Sequence, residues 1–559
     1  MRIPCAARDA VFRLALTAAL LAASPLQATP ELSGAVATAH SPTAAERADD
    51  EDPTFAINGF RHQGNTLLDA LEIDALLQGF TGKDGSFARI QAAVSALEKR
   101  YLKSGFGAVK VVLPAQEIDD GIVRLQIVEG RIGKISVTGA QHFTPQNIRA
   151  SLPMLNEGQP PNMHAIDAAL RLANDNPAKS TQLVFRQGSV AGEVDAQIKV
   201  QDDSPWRVAL IADNSGAPDS NGRYATGRYR SGFVLQHNNL FERDHSATLQ
   251  YVTSPDHLSQ VSIVGLGYRL PLYAQGDAIE ISAGYSNVNS GTLETAAGQV
   301  GISGKGYIAS LRYEHMLPRW GDWQHQVNAG LEYRAYLNNV NFTGVAGSLV
   351  PDVTTHPLAL AYRGDARLGP TSLNLGVDLL RNLPGGDNGR DDSFRNTRSA
   401  ASADFTILRY QLGATLSLIN DWSLRAGLNG QYTRDALIPG EQFGVGGADS
   451  VRGFYERQLA DDRGQRYGVE LSTPDFGAYL NVPGVHVSAL AFLDGARVDR
   501  NHALAGETAR ESIASNGLGL RIHYTRHSSL RLDWARVTQG GASRQAGDRR
   551  FHANFLMMF

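Results

Sequence analysis

The stretch with the most chemistry to offer is Gln442–Gly464, which reads QFGVGGADSVRGFYERQLADDRG. It holds Gly444, Gly446, Gly447, Gly453 and Gly464 around a central arginine, Arg452, and follows neither a helical nor a two-residue apolar period. Glycine clusters serve two kinds of chemistry: cradling a phosphate at a strand-to-helix turn, or letting a long loop turn tightly in a confined space. The glycines at 444–447 follow no strand-to-helix pattern, so the nucleotide reading is poor. Gly82-Lys83 is followed by Asp84 rather than Ser or Thr, so it is no phosphate loop either. There is no HExxH zinc helix, and the fifteen histidines are scattered. The lone cysteine, Cys5, lies in a segment expected to be removed, which excludes thiol nucleophiles and thiolate metal sites. Carboxylate pairs such as Asp49-Asp50 and Asp202-Asp203 read as solvated linker residues. The expectation is a protein without enzymatic activity, cofactor or metal, whose informative segment is a long loop.

The elements that must position this loop fall into three regions. Residues 1–28 read as a secretory signal: Arg2, Arg8 and Arg13 precede and enter the apolar run Val11–Ala23, and Leu26-Gln27-Ala28 offers a small residue at the cleavage position. No later window approaches the ~18 apolar residues of a membrane helix. The chain is therefore expected to be exported, and a net charge of -4 gives no basic excess to suggest a nucleic-acid partner.

Residues 29–54 read as a linker, and 55–130 as a compact unit. Phe55–Phe60 is predicted as a strand, Leu68, Leu71, Leu76 and Leu77 mark a first helix, and Ser86 caps a second whose buried face is Ile90, Val94, Leu97 and Tyr101. Strands Val109–Leu113 and Ile122–Val128 close the unit. Residues 131–203 repeat that β-α-α-β-β order, with Thr144-Pro145 starting a helix and Ile166 and Leu170 marking the next.

From 204 to 559 one alternating strand follows another. In Trp422–Thr433 the apolar even positions face Ser423, Arg425, Asn429, Gln431 and Thr433; Phe551, Ala553, Phe555, Met557 and Phe559 share one face of the last strand. Alternation alone also fits a soluble sandwich. Export, apolar stretches of about ten residues and aromatics at both strand ends favour a transmembrane barrel of about sixteen antiparallel strands. By the same parity Val485, Val487, Ala489, Ala491 and Leu493 face lipid, and Glu470, His486 and Asp494 face the lumen.

These residues resemble the outer-membrane transporters of two-partner secretion (TpsB proteins; the haemolysin activator-secretion family, ShlB/FhaC/HecB-like) within the BamA-like superfamily. The resemblance is carried by Leu113-Pro114-Ala115-Gln116, Asp120-Gly121 and Val128-Glu129-Gly130 at the end of a POTRA domain. It is carried also by Gly446-Gly447 before Val451-Arg452-Gly453-Phe454, and by Phe492-Leu493-Asp494-Gly495, where Gly follows Asp directly instead of after one residue. It implies two POTRA domains (55–130 and 131–203) in the periplasm, and a sixteen-stranded barrel in the bacterial outer membrane with a gating loop at 436–464. It implies an ion pair between Arg452 and Asp494, with Glu470 a further lumen carboxylate. The partner so implied is a secreted TpsA-like adhesin or haemolysin, recognised by the POTRA domains and passed through the barrel. Outer-membrane lipid and the barrel assembly machinery are further partners, the latter reading Phe559 as a terminal signal. A BamA-like assembly factor is the alternative, and a passive porin a third reading. Many members also have a pore-threading N-terminal helix; Pro30, Gly34 and Pro42 interrupt the segment where it would lie. The charged tip of the loop is expected to be held by lumen carboxylates yet released at modest cost, because the lumen around it is expected to be wet and screened.

Overall fold

Side-chain caps and one buried carboxylate shape the N-terminal unit of the computed structural model. Its described residues are 54–541 and 543–559, apart from 220, 225, 289, 290, 296, 297, 303, 304 and 338–350. The expected signal peptide, nearly all of the linker and any N-terminal plug helix lie outside them. The first unit runs β1 (Phe55–Ile57), β2 (Gly59–Gln63), α1 (Ala70–Gln78), β3 (Gly82–Gly85), α2 (Phe87–Lys103), β4 (Val109–Val112) and β5 (Ile122–Glu129). Asp69 accepts from the Leu71 N–H at the start of α1, and Ser86 does the same for Arg89 at the start of α2. The sheet order is β2-β5-β4, with β2 parallel to β5. The single strand expected over Phe55–Phe60 is two strands. Asn58 leaves the ladder to bond Gly121 O (2.8 Å) and Asp120 O (2.8 Å), while β1 turns away to pair with β3, an element the helical periodicity hides. Ile90, Leu97 and Tyr101 of α2 pack with Ile57, Leu77, Val123 and Ile127. Glu129 is buried beneath them and takes the N–H groups of Thr66 (2.7 Å) and Leu67 (3.0 Å).

The second unit runs β6 (Arg131–Thr138), α3 (Pro145–Ala150), α4 (Met163–Asn174), β7 (Lys179–Gln187) and β8 (Glu193–Asp202), in sheet order β6-β8-β7. Thr144 caps α3 with Pro145 at the first helical position. Asp202 corrects one expectation, since it is no solvated linker residue. Its carboxylate accepts the backbone N–H groups of Gln141 (2.9 Å), His142 (2.8 Å) and Phe143 (2.8 Å). Burial pushes its pKa up, but these three bonds outweigh burial and hold it below the usual carboxylate value.

This unit is bonded to one rim of the barrel. Arg171 donates to Leu317 O (2.7 Å), Asn176 to Asn238 O (2.7 Å) and Asn147 to Glu242 O (2.8 Å). The Lys179 ammonium is fully buried against Asp244, which also accepts from the Tyr273 hydroxyl at 2.6 Å.

The barrel is a closed antiparallel cylinder of sixteen strands, from Trp206–Asp213 to Arg549–Met558. Each pairs with its neighbour in sequence, and the last meets the first through Asn554–Met558 against Ala209–Asp213. A short extra strand, Val353–Thr355, extends the ladder on Trp323–Tyr336. Alternation holds around the wall: Leu266, Ile281, Leu311, Leu360, Leu493 and Leu518 are exposed outward, while Gln250, Glu280, Glu332, Asp494 and Asp533 are buried inward. Tight turns such as Gly321-Asp322, together with the connection 473–484, lie at the rim where the second unit docks, and the long connection 433–462 leaves from the other. Among the described residues no helix is long and apolar enough to cross a membrane.

Candidate functional site

The connection after Ser423–Tyr432 enters the lumen as a hairpin. It is not wholly irregular as the sequence suggests, because Phe443–Val445 pairs with Leu459–Asp461. Two of its glycines are required by position. Gly447 has φ +108°, and a Cβ there would collide with the Glu456 carboxylate. Gly453 has φ +95° and lies against Ala535, Val537 and Ser515 of the wall. Gly446 shares the positive φ, at +109°.

Between these glycines Arg452 is 4% exposed. Its Nε donates to Asp494 Oδ2 at 2.7 Å, Nη2 to Asp494 Oδ1 at 2.8 Å, and Nη1 to Glu470 Oε1 at 2.6 Å. Its backbone N–H also donates to Asp494, at 3.1 Å. The bidentate fork is the geometry in which a guanidinium binds a carboxylate most strongly. Asp533 stands 3.5 Å from Nη1, and the Phe492 ring lies 3.4 Å beneath the guanidinium. Burial opposes the charge on Arg452, but the bonds to Asp494 and the negative charges of Asp494, Glu470 and Asp533 push its pKa above the ordinary range.

The tip is not wet, contrary to expectation. Val451 and Phe454 are completely buried and pack with Val445, Leu459, Ala496, Val498, Ile513 and Val537. Phe492 and Leu490 point inward at positions where alternation predicts polar groups: Phe492 lies under Arg452 and packs with Leu490 and Ala535. His486 is also misplaced by parity alone: it sits exposed at the rim, 2.6 Å from Asp475.

The base of the loop has its own anchors, which sequence reasoning missed. Glu441 has no exposure and accepts from Arg334 Nη1 (2.6 Å), the Tyr336 hydroxyl (2.8 Å) and Thr355 Oγ1 (3.1 Å). Asp462, equally buried, pairs with Arg398 and accepts the N–H groups of Leu437 (2.8 Å) and Asn501 (2.7 Å). Glu456, on the loop itself, has its carboxyl pushed up to about 7 by burial, despite the bond from the Ala448 N–H. The loop leans on the last strands of the barrel. Beside it a cavity of about 1150 Å³ is lined by Ile211, Val252, Asn328, Ala361, Asn429 and Glu332 among others.

The remaining candidate residues lie elsewhere. Leu113 packs on the core of the first unit, near Pro114. The Gln116 amide clamps both backbone groups of Arg124 (2.7 and 2.8 Å), Gly121 turns with φ +69°, and Gly130 passes close to Ala108 O. None of these is brought near Arg452. Phe559 is exposed on the outside of the barrel and bonds Val208 through its backbone.

Comparison with known proteins gives consistent matches. The profile of the family described as haemolysin secretion/activation protein ShlB/FhaC/HecB matches residues 192–522, and that of the ShlB-type POTRA domain matches residues 55–130. The outer membrane transporter CdiB of Dickeya dadantii (strain 3937) is 24% identical over 491 residues, covering 84% of this chain and 81% of that one. The heme/hemopexin transporter protein HuxB of Haemophilus influenzae (strain 86-028NP) is 21% identical over 471 residues, covering 83% and 79%. The solved structure of CdiB from Escherichia coli shares the fold, with a TM-score of 0.72 at 19% identity over the whole of both chains.

Proposed function

Because this chain belongs to the haemolysin secretion/activation family ShlB/FhaC/HecB, the outer-membrane transporters of two-partner secretion, we propose that it moves one partner exoprotein outward through a barrel whose resting lumen is closed by the loop 436–464. The observation that carries this reading is Arg452, held by Asp494 and Glu470 inside the pore with Phe454 packed beside it. A charged and apolar tip seated on the wall obstructs the lumen until something displaces it. No nucleotide is needed in this scheme. Capture by the POTRA domains (55–130 and 131–203) on the periplasmic side, and folding of the exoprotein outside, give the direction. Outer-membrane lipid meets the exposed leucines, and Phe559 is the terminal residue that the barrel assembly machinery reads.

The strand edges suggest where capture occurs. Glu98 blocks β4 by accepting the Val111 N–H (3.1 Å), and Gly158 and Gln159 cover Ile132 on β6. On β7, Asn174 clamps both backbone groups of Thr181 (2.6 and 3.0 Å). By ladder parity Leu183, Phe185 and Gln187 point their backbone groups the same way, and among the described residues nothing meets them. An extended client segment pairing there gains main-chain bonds independent of its sequence.

The test is a comparison of exported proteins between the wild-type host and a strain lacking this chain. The expected outcome is the loss of one large protein from the medium or cell surface, with its accumulation in the periplasm. Depletion of outer-membrane barrels instead would favour an assembly factor. A fall in small-solute permeability alone would favour a porin.

A further inference from the structure

We propose that His552, on the last barrel strand, is a second and uncharged anchor of the loop tip, bonding it to the strand that closes the barrel. The inference rests on the reading of 436–464 as a plug. His552 is 3% exposed, and its Nε2 accepts the Gly453 N–H at 2.9 Å. Gly453 directly follows Arg452, so two successive residues of the tip are gripped from different sides. Arg452 is held by Arg463–Ser472 and Val485–Asp499, and Gly453 by Arg549–Met558.

The acceptor role fixes the state of the ring. Nε2 must carry no proton, which places the proton of the neutral imidazole on Nδ1. The charged groups around it are Arg452 on the loop, Arg550 on its own strand, Arg544 on the preceding connection, and Asp533 directly across on the neighbouring strand. A protonated ring would set one donor against another beside these arginines. At Gly453 the backbone takes φ +95° and runs along the wall, where a side chain would meet Ala535, Val537 and Ser515, so the tip approaches His552 with nothing but its backbone.

The position along the strand adds to the argument. Pairing with the first strand stops at Asn554. Beyond it Asn214 takes over, its backbone N–H on Ala553 O (3.3 Å) and its side chain donating to Phe551 O (2.9 Å) and accepting from the Ala553 N–H (3.0 Å). His552 lies inside this stretch and faces the lumen. At this edge the closing strand is held by Asn214 and by Arg550, which donates to Asn214 O (3.0 Å), and from within by the loop.

The experiment records channel openings of the purified full chain in planar lipid bilayers for wild type, His552→Phe, His552→Gln and Arg452→Ala. Phe keeps a ring but cannot accept a bond; the Gln carbonyl can take the place of Nε2. His552→Phe is expected to open about tenfold more often, the worth of roughly one buried hydrogen bond, and His552→Gln to stay near wild type. If Arg452→Ala opens freely and His552→Phe does not, this inference falls and the plug reading stands. If neither variant differs from wild type, the plug reading falls and takes the inference with it. If His552→Gln leaks as much as His552→Phe, the acceptor role is overturned. Should His552→Phe fail to assemble, ¹⁵N-histidine spectra of the wild-type protein in micelles decide, with the His552 signal assigned by its loss in His552→Gln. An unprotonated Nε2 supports the anchor, and a protonated one overturns it.

Discussion

The loop is fastened at its tip and at its base by the same ion-pair chemistry with the signs exchanged. At the buried tip the loop carries the cation, Arg452, and the wall carries Asp494, Glu470 and Asp533, while the exposed Asp449–Arg531 pair runs the other way. At the base the loop carries Glu441 and Asp462, and the surroundings carry Arg334 and Arg398. The difference decides which end can let go. When the tip leaves, Asp494 and Glu470 lose their cation but are open to water as the loop withdraws, and Asp533 keeps Arg521. When the base leaves, Arg398 loses its carboxylate and keeps its charge, while Arg334 retains Glu332. The geometry thus gives a releasable tip on a fixed root.

The largest expected effect is at the root. Asp462→Ala removes the partner of Arg398 and leaves the N–H groups of Leu437 and Asn501 without an acceptor. Loss of one partner from a buried pair costs about 3–5 kcal/mol, read as a lower temperature for conversion to the unfolded band on heated SDS gels. Arg452→Ala is expected to cost less stability, about 1–2 kcal/mol once the stranded carboxylates relax, yet to open the channel far more often. A reversal of that order would break the comparison.

The smallest effect sharpens it. Glu456 belongs to the tip, and seating raises its carboxyl from the ordinary 4.5 to about 7. A carboxyl whose pKa is raised in one state favours that state when protonated. The seated tip therefore loses stability as pH rises from about 4.5 to about 7 and changes no further above that. Channel openings should be more frequent at pH 8 than at pH 5, by up to tens of fold. Glu456→Gln should flatten the profile, whereas the gel-shift temperature of the root should not follow it.

How much of this is readable in the order of residues depends on distance along the chain. Strand parity is local, so the barrel wall and the inward direction of Glu470 and Asp494 follow from alternation. Helix caps at Ser86 and Thr144 are equally local. Asp533 alternates visibly with Leu532 and Trp534, but nothing near it points to Arg452. His552 and Glu441 belong to networks joining segments about a hundred residues apart and carry no pattern of their own. Parity gives direction but not partners. It places Leu490 and Phe492 inward, as found, but not what they meet there: Phe492 lies under the Arg452 guanidinium and packs with Leu490 and Ala535. The break at Asn58 hides for a similar reason, since its cause is a turn more than sixty residues later.

The bonding of the second N-terminal unit to the barrel rim has a consequence for the exoprotein. With Lys179 buried on Asp244, and Arg171, Asn176 and Asn147 bonded to rim carbonyls, β7 cannot swing as on a tether. Its edge at Leu183–Gln187 stands at a set distance and angle from the pore. In the proposed reading, a client strand that pairs there is no longer a dissolved molecule searching for an opening. The next part of the same chain meets the pore at an effective concentration on the order of millimolar, so a weak first grip is enough, and the grip can be weak enough to let go once export is under way.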